Sequence, residues 1–109
     1  MAIEIERKFL VTDDRWRAGV VRSVRYQQGY LARSPTSAIR VRTDGAQAHL
    51  NIKSTVDGVT RLEYEYPIPL ADAEELLTRV ALRPVIVKTR HLVDFAGRRW
   101  EIDVFEAEN

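Results

Sequence analysis

The chain of 109 residues contains no cysteine, which excludes a disulfide framework and a thiolate metal site. Its charges nearly cancel, with 17 Lys and Arg against 16 Asp and Glu. Domains that bind nucleic acid or membranes usually carry a basic excess, so neither partner is expected. No apolar run approaches the length of a membrane span, and no basic and apolar leader segment is visible. These absences predict a cytoplasmic protein with a single globular domain over residues 1–109.

Turn signals divide the chain into short strands. Asp44-Gly45 and Asp57-Gly58 each separate two alternating runs, which is the strongest local sign of a β-hairpin, and Ala96-Gly97 is a weaker one. Alternation of apolar and polar residues predicts strands over residues 2–11, 24–32, 38–43, 47–54, 60–67, 85–95 and 98–106. The expected fold class is therefore mainly β with minor α, built on an antiparallel sheet.

One segment has a helical period instead. From Leu70 onward, apolar residues recur at helical spacing, at Ala73, Leu76, Leu77 and Val80. We expect Asp72 to cap this helix, with Glu75 as its capping-box partner, and Pro84 to prevent any extension. A weaker pattern indicates a short helix over residues 13–20.

The first strand carries charge on a single face. Side chains alternate along a strand, so Glu4, Glu6 and Lys8 share one face. The apolar side chains belong to the other face, at Ile3, Ile5 and Phe9. The same arrangement recurs in the later strands, whose charged residues are Arg40, Arg42, Lys53, Arg61, Glu63, Glu65, Lys88, Arg90, Glu101 and Asp103.

These faces have two interpretations. A solvated outer face is the ordinary explanation for any single strand, because antiparallel sheets are commonly wet on one side. Taken together, however, the faces are almost purely charged, and the signs separate by strand. The basic strands carry Arg40, Arg42, Lys53, Lys88 and Arg90, whereas an acidic strand carries Glu101 and Asp103. Closing such a sheet into a barrel would turn the charges into a ligand-sized lumen.

The charge pattern narrows the ligand. Several cations that converge on one cavity are unfavourable unless an anion of high charge density fills it, and polyphosphate is such an anion. A carboxylate cluster in the same cavity would suit Mg²⁺ or Mn²⁺, which points to metal-assisted phosphoryl transfer. His49 and His91 stand alone in the sequence, so a metal site with two histidines is not expected. The serines lack a His/Asp partner pattern, and no Gly-rich phosphate loop of the P-loop type is present.

The ordered set of charged segments resembles a known family. Glu4-x-Glu6-x-Lys8 is similar to the ExExK signature of the CYTH domain, also called the triphosphate tunnel metalloenzymes. Further segments follow in the order and spacing of that family, at Arg40-Val41-Arg42, Lys53, Arg61-Leu62-Glu63-Tyr64-Glu65, Lys88-Thr89-Arg90 and Trp100-Glu101-Ile102-Asp103. The resemblance implies an eight-stranded antiparallel tunnel that binds a triphosphate through inward Arg and Lys and a divalent metal through inward Glu.

The resemblance also implies roles for individual residues. Glu4 and Glu6 would hold Mg²⁺ or Mn²⁺, directly or through water, and would form the catalytic set with Lys8. The implied phosphate-binding residues are Lys8, Arg40, Arg42, Lys53, Arg61, Lys88 and Arg90. The remaining carboxylates would bind the metal, position its water or brace the cations, and they are Glu63, Glu65, Glu101 and Asp103.

The implied function is metal-dependent hydrolysis of a triphosphate, with inorganic tripolyphosphate as the favoured substrate. Class IV adenylate cyclase and thiamine triphosphatase are alternatives within the family. A non-catalytic triphosphate or polyphosphate binder and a generic β-scaffold are alternatives outside enzyme chemistry. Family members normally continue with a further strand bearing an ExE pair and a C-terminal helix. We therefore expect a barrel that is incomplete at the C-terminus, activity that is uncertain for these 109 residues alone, and an open edge that could pair with a second copy as a homodimer.

Overall fold

The computed structural model of the chain describes residues 13–55 and 60–106, together with the backbone of residues 2–4. Seven strands in these residues form one sheet in the order β1-β5-β4-β3-β2-β6-β7. All neighbouring strands run antiparallel. The strands are β1 (Ala2–Glu4), β2 (Val20–Arg33), β3 (Ser37–Thr43), β4 (Ala48–Thr55), β5 (Arg61–Ile68), β6 (Ile86–Phe95) and β7 (Arg98–Phe105).

The sheet is open between β1 and β7. These two strands stand at its opposite edges, and no ladder joins them within the described residues. The predicted mainly antiparallel β fold with minor helix is confirmed. The resemblance implies eight strands in the complete tunnel, and the described part of the chain contributes seven of them.

Two of the three predicted hairpin turns lie in the described residues, and both form. Asp44 Oδ1 accepts hydrogen bonds from the backbone of Ala46 at 2.9 Å and of Gln47 at 2.8 Å, and Gly45 has a φ of +91°. Ala96 and Gly97 have φ values of 54° and 75°, which a two-residue hairpin with the right twist requires. Asp57-Gly58 lies outside the described residues.

The second strand begins earlier than the local pattern predicts. β2 starts at Val20, four residues before the expected start at residue 24. Its first part pairs with β6, with Val20 opposite Val93 and Ser23 opposite His91. Ser23 Oγ and His91 Nδ1 are 2.6 Å apart. The extension thus depends on pairing with a strand distant in sequence, which alternation within residues 20–23 does not reveal.

The predicted helix forms, but the predicted cap is wrong. Helix α1 (Leu70–Glu75) follows Pro69 and has no side-chain hydrogen bond at its N-cap. Asp72 lies inside the first turn, where its carboxylate interacts favourably with the positive end of the helix dipole. The chain continues as a π-helical segment, Leu76–Val80. The weaker helix predicted near the N-terminus is also present, as a 3-10 helix over Arg15–Gly19.

The apolar core lies between α1 with the π-helical segment that follows it and one face of the sheet. Its buried members are Val41, Ala48, Ala73 and Leu77. Gly29 of β2 permits the close approach, because a Cβ at this position would be 3.1 Å from Ala81 Cβ and 3.3 Å from Leu77 Cδ2. Among the helices of the described residues, none has the length and hydropathy that a membrane crossing requires.

The other face of the sheet buries polar side chains. Gln28 is 6% exposed, Asn51 3% and Lys88 6%. The helical core packs against the opposite face, so these residues are buried outside the apolar core. The buried polar side chains mark this side of the sheet as the candidate site.

Candidate functional site

Strand register brings the charged residues of five strands onto one face. Residues directly opposite each other in an antiparallel pair share a face. Arg40 pairs with Asn51, and Asn51 pairs with Glu65. We call this surface the polar face. Its polar and charged members include Tyr26, Gln28, Tyr30, Arg40, Arg42, His49, Asn51, Lys53, Arg61, Glu63, Glu65, Lys88, Arg90, Glu101 and Asp103.

The N-terminal motif is described only in part. Glu4 belongs to β1, where its Cα is in register with that of Arg61 on β5. Glu6 and Lys8 lie outside the described residues, so their predicted metal and phosphate roles remain predictions. Arg61 itself is exposed at the margin of the polar face.

A carboxylate joins two of the predicted phosphate-binding cations. Asp103 Oδ2 accepts a hydrogen bond from Lys88 Nζ at 2.9 Å, and Asp103 Oδ1 accepts one from Arg90 Nε at 2.9 Å. Arg90 Nη2 also donates to Asp103 Oδ2 at 3.1 Å. Glu101 is more distant, with its Oε1 3.6 Å from Arg90 Nη1. Of the predicted roles for Asp103, the contacts fit that of a brace for cations.

Burial and these contacts together shift the pKa values of all three groups. Burial would raise the pKa of Asp103, but the hydrogen bonds from Arg90 and Lys88 outweigh it and lower the pKa to about 2. Burial lowers the pKa of Lys88, although its hydrogen bond to Asp103 acts in the opposite direction. The hydrogen bond to Asp103 raises the pKa of Arg90. Asp103 is therefore a carboxylate anion at neutral pH.

Arg40 and Arg42 are neighbouring cations on one face of β3, and they differ from Lys88 and Arg90 in their contacts. Burial and the charge of Arg42 lower the pKa of Arg40. Across residues 13–55 and 60–106, neither guanidinium forms an ion pair with a carboxylate. The Arg42 guanidinium lies over the ring of Tyr26, with Cζ 4.5 Å from the ring centroid. The charge of Glu63 acts on Arg40 without a direct ion pair. Two partly buried arginines that form no carboxylate ion pair in the described residues could bind an anion.

The β4–β5 part of the polar face carries carboxylates. Lys53 Nζ lies 3.5 Å from Glu63 Oε2, a distance that gives Coulomb attraction without a well-formed hydrogen bond. Asn51 Nδ2 donates to Glu65 Oε2 at 3.2 Å, which fixes the orientation of the Asn51 amide. Three buried oxygens accept no hydrogen bond from any described residue, namely Gln28 Oε1, Asn51 Oδ1 and Glu63 Oε2.

These oxygens bear on the divalent metal that the sequence predicts. Mg²⁺ and Mn²⁺ prefer oxygen ligands and water, and Glu63 Oε2 and Asn51 Oδ1 are buried oxygens of that type. Within the described residues, no group of three His, Asp or Glu side chains is close enough to hold an ion alone. The donor set therefore fits part of a hard-cation site, and both oxygens of Asp103 are already engaged by cations.

The charge pattern in the sequence missed the polar residues that β2 contributes to the polar face. Tyr26, Gln28 and Tyr30 are opposite Lys88, Arg42 and Arg40, respectively. Their spacing of two residues within the predicted strand 24–32 was a usable signal, because it places them on one face. They are not among the Asp, Glu, Lys and Arg residues that define the charge pattern, and a search restricted to those four residue types passes over them.

A comparison with known protein families identifies the family of the chain. The sequence model of the CYTH domain matches residues 2–108. This chain belongs to the CYTH domain family. The resemblance inferred from the charged segments is confirmed, and the match covers nearly the whole chain.

Relatives within and near the CYTH family support the same placement. An inorganic triphosphatase from Acetivibrio thermocellus is 40% identical over 109 residues, which is 100% of this chain and 69% of that protein. The crystal structure of the inorganic triphosphatase NE1496 matches with a TM-score of 0.59 and 27% identity, covering 79% of this chain and 54% of that one. A conserved hypothetical protein from Pyrococcus furiosus shares the fold, with a TM-score of 0.59, 21% identity and coverage of 81% and 58%. The chain thus spans somewhat more than half the length of these two solved structures.

Proposed function

We propose that this CYTH chain carries the phosphate-binding face of a hydrolase that acts on inorganic triphosphate with a divalent metal. The observation that carries the proposal is the Arg40–Arg42 pair, which is partly buried and has no carboxylate partner in the described residues. It lies on the same face as Lys53, Lys88 and Arg90. Two relatives named as inorganic triphosphatases support the choice of substrate.

The polar face suits a chain of phosphates better than a single phosphate. Arg40 and Arg42 are on β3, Lys53 is on the neighbouring β4, and Lys88 and Arg90 are on β6, beyond β2. Neighbouring strands are roughly 4.8 Å apart, so cations spread over these strands can contact several phosphoryl groups at once. Arginine offers a planar fork for pairs of phosphate oxygens, and lysine offers a compact charge.

The carboxylates divide into two roles in this proposal. Glu63, together with Glu4 and Glu6, would hold Mg²⁺ or Mn²⁺, and Asn51 and Glu65 lie beside that position. The metal supplies charge neutralisation at phosphate oxygens and a more acidic bound water. Asp103 keeps Lys88 and Arg90 in place, and Glu101 adds negative charge near Arg90. The protein's own contribution is then binding and orientation of the substrate.

The test is release of phosphate from tripolyphosphate by the purified chain, with and without Mg²⁺ or Mn²⁺. ATP, thiamine triphosphate and pyrophosphate serve as competing substrates, and calorimetry measures binding of each. We expect Arg40→Ala to weaken tripolyphosphate binding about tenfold or more, since a hydrogen bond to a charged group contributes about 1.5–3 kcal/mol. Arg98→Ala, a change at an exposed arginine of the β6–β7 hairpin, is the matched control.

Each other outcome assigns a different function. Conversion of ATP to cyclic AMP at an equal or greater rate would establish a cyclase, and preferred turnover of thiamine triphosphate would establish a thiamine triphosphatase. Metal-independent tripolyphosphate binding, with no hydrolysis even after the chain is extended by the ExE strand and helix of the family, would establish a non-catalytic binder. Equal tripolyphosphate affinity in the wild type, Arg40→Ala and Arg98→Ala would leave only a β-scaffold with a charged face.

A further inference from the structure

Tyr26 contacts two of the arginines on the polar face. Its ring centroid is 4.5 Å from Cζ of Arg42 and 5.9 Å from Cζ of Arg90. Tyr26 is on β2, which separates β3 with Arg42 from β6 with Arg90. Guanidinium groups within about 6 Å of an aromatic centroid are attracted to the negative face of the ring. One aromatic side chain thus stands between the two basic strands.

The two arginines use their N–H donors differently. Arg90 directs Nε and Nη2 to the carboxylate of Asp103. Arg42 makes no ion pair within residues 13–55 and 60–106, and the contact that the structure gives its guanidinium there is the one with Tyr26. An aromatic ring attracts a guanidinium through its π face, so the N–H groups in the guanidinium plane remain available. A carboxylate partner would occupy those same donors.

We propose that Tyr26 is a positioning residue that holds Arg42 in place while leaving its N–H donors free for the phosphate oxygens of a triphosphate. This inference rests on the proposed function, because it assigns Arg42 to the substrate. The family motif contains the arginine, whereas the tyrosine belongs to the uncharged set on β2 that the sequence patterns missed.

An aromatic contact at Arg42 is favourable because another positive charge lies next to Arg42. Arg40 is a neighbouring cation, and the mutual repulsion contributes to the lowered pKa of Arg40. A carboxylate could offset this repulsion, but it would compete with phosphate for the same donors. An aromatic ring offsets part of it without competing. Holding the side chain before binding also reduces the conformational entropy that Arg42 loses when phosphate binds.

Tripolyphosphate binding to the full chain, measured by calorimetry, tests the inference. Tyr26→Leu removes the ring, and we expect it to weaken binding about three- to ten-fold, the range that a cation–π contact of ordinary strength predicts. Tyr26→Phe keeps the ring, and we expect an affinity close to that of the wild type. Tyr64→Leu removes a half-buried tyrosine from the opposite face of the sheet and is the matched control.

A double-mutant cycle with Arg42→Ala separates positioning from general stability. If Tyr26 acts through Arg42, Tyr26→Leu weakens binding in the wild-type background and has little further effect in the Arg42→Ala background. A purely structural role would give the same loss in both backgrounds and would overturn the inference. Should Tyr26→Leu melt at a much lower temperature than Tyr64→Leu, Tyr26→Met provides a flexible apolar replacement of similar length.

The remaining outcomes are also decisive. Equal losses in Tyr26→Leu and Tyr26→Phe would assign the effect to the hydroxyl and overturn the role of the ring. Binding that is lost in Arg42→Ala but unchanged in Tyr26→Leu would overturn the inference and leave the proposed function intact. A wild-type chain that does not bind tripolyphosphate would overturn both.

Discussion

Lys88 Nζ lies 2.9 Å from Asp103 Oδ2, although the strand register places Lys88 opposite Phe105 and Asp103 opposite Arg90. The lysine therefore reaches diagonally across β6 and β7 to a carboxylate that Arg90 already binds. The side chain of Lys88 is only 7% exposed and that of Asp103 22%. A partly buried carboxylate with two cationic partners links the stability of the sheet edge to pH.

The first prediction concerns this linkage. The pKa of Asp103 is lowered from 3.8 to about 2 by its hydrogen bonds with Arg90 and Lys88, against the opposing effect of burial. Because the folded-state pKa is the lower one, the stabilisation is fully present above pH 3.8 and is lost as the pH falls toward 2. After allowance for solvent screening, it amounts to about 1–2 kcal/mol at neutral pH.

Urea unfolding of the wild type and Asp103→Asn at neutral pH and near pH 2 measures this contribution. We expect the difference in unfolding free energy between the two proteins to shrink at the acidic pH. Glu74→Gln, at an exposed position of α1, controls for the loss of one negative charge. A difference that stays constant across the pH range would contradict the linkage.

The second prediction is that Arg40 favours binding at the expense of stability. Burial and the charge of Arg42 lower the pKa of Arg40, so its charged form is unfavourable in the free protein. Arg40→Met keeps the length of the side chain and removes the charge. We expect the free energy of unfolding to rise by about 0.5–1 kcal/mol and tripolyphosphate binding to weaken about tenfold or more. Chemical denaturation and calorimetry on the same samples measure both, with Arg98→Met as control. A variant that is both less stable and equally good at binding would refute this prediction.

Arg40 also shows how far the sequence alone leads. Strict alternation with Ile39 and Val41 was enough to place Arg40 and Arg42 on one face, since the side-chain period of a strand admits no other arrangement. Alternation could not indicate that Tyr26 would lie beneath Arg42, because their contact depends on the register between β2 and β3. Nor could it indicate the early start of β2, which depends on pairing with β6.

The wrong helix cap has a local physical reason. Asp72 followed by Glu75 satisfies the capping pattern in sequence, but the helix begins at Leu70, directly after Pro69. Proline has a fixed φ that suits the start of a helix, and the carbonyl of Pro69 accepts the first helical hydrogen bond, from Ala73 N at 3.1 Å. The backbone thus enters the helix before the aspartate that the pattern selects.

The third prediction concerns the close contact between β2 and the segment that follows the π-helical turn. A Cβ on Gly29 would be 3.1 Å from Ala81 Cβ and 3.3 Å from Leu77 Cδ2, which is tighter than ordinary contact. We expect Gly29→Ala to destabilise the protein by about 1–3 kcal/mol through overpacking. Adding Ala81→Gly removes the nearest obstructing atom and should restore part of the loss. Thermal unfolding measures the stability of both single variants and of the double variant. If the double variant is destabilised by the sum of the two single effects, the steric explanation is excluded.

The last prediction tests whether the carboxylate end of the polar face takes a divalent ion. Glu63 Oε2 is buried and accepts no hydrogen bond from the described residues, and Lys53 Nζ lies 3.5 Å from it. If a triphosphate drew Lys53 toward its oxygens, Glu63 would keep an uncompensated negative charge that favours binding of a hard cation. Mn²⁺ should therefore raise the melting temperature of the tripolyphosphate complex above that of the metal-free complex.

In Glu63→Gln we expect most of this metal-dependent increment to disappear, while the increment from tripolyphosphate alone persists. Glu74→Gln should retain both increments in melting temperature. It removes a carboxylate from α1, which packs on the side of the sheet opposite the polar face. If Glu63→Gln also retains both increments in melting temperature, metal binding does not depend on Glu63. Its ligands would then have to come from the other predicted carboxylates, with Glu4 and Glu6 as the first to replace by glutamine.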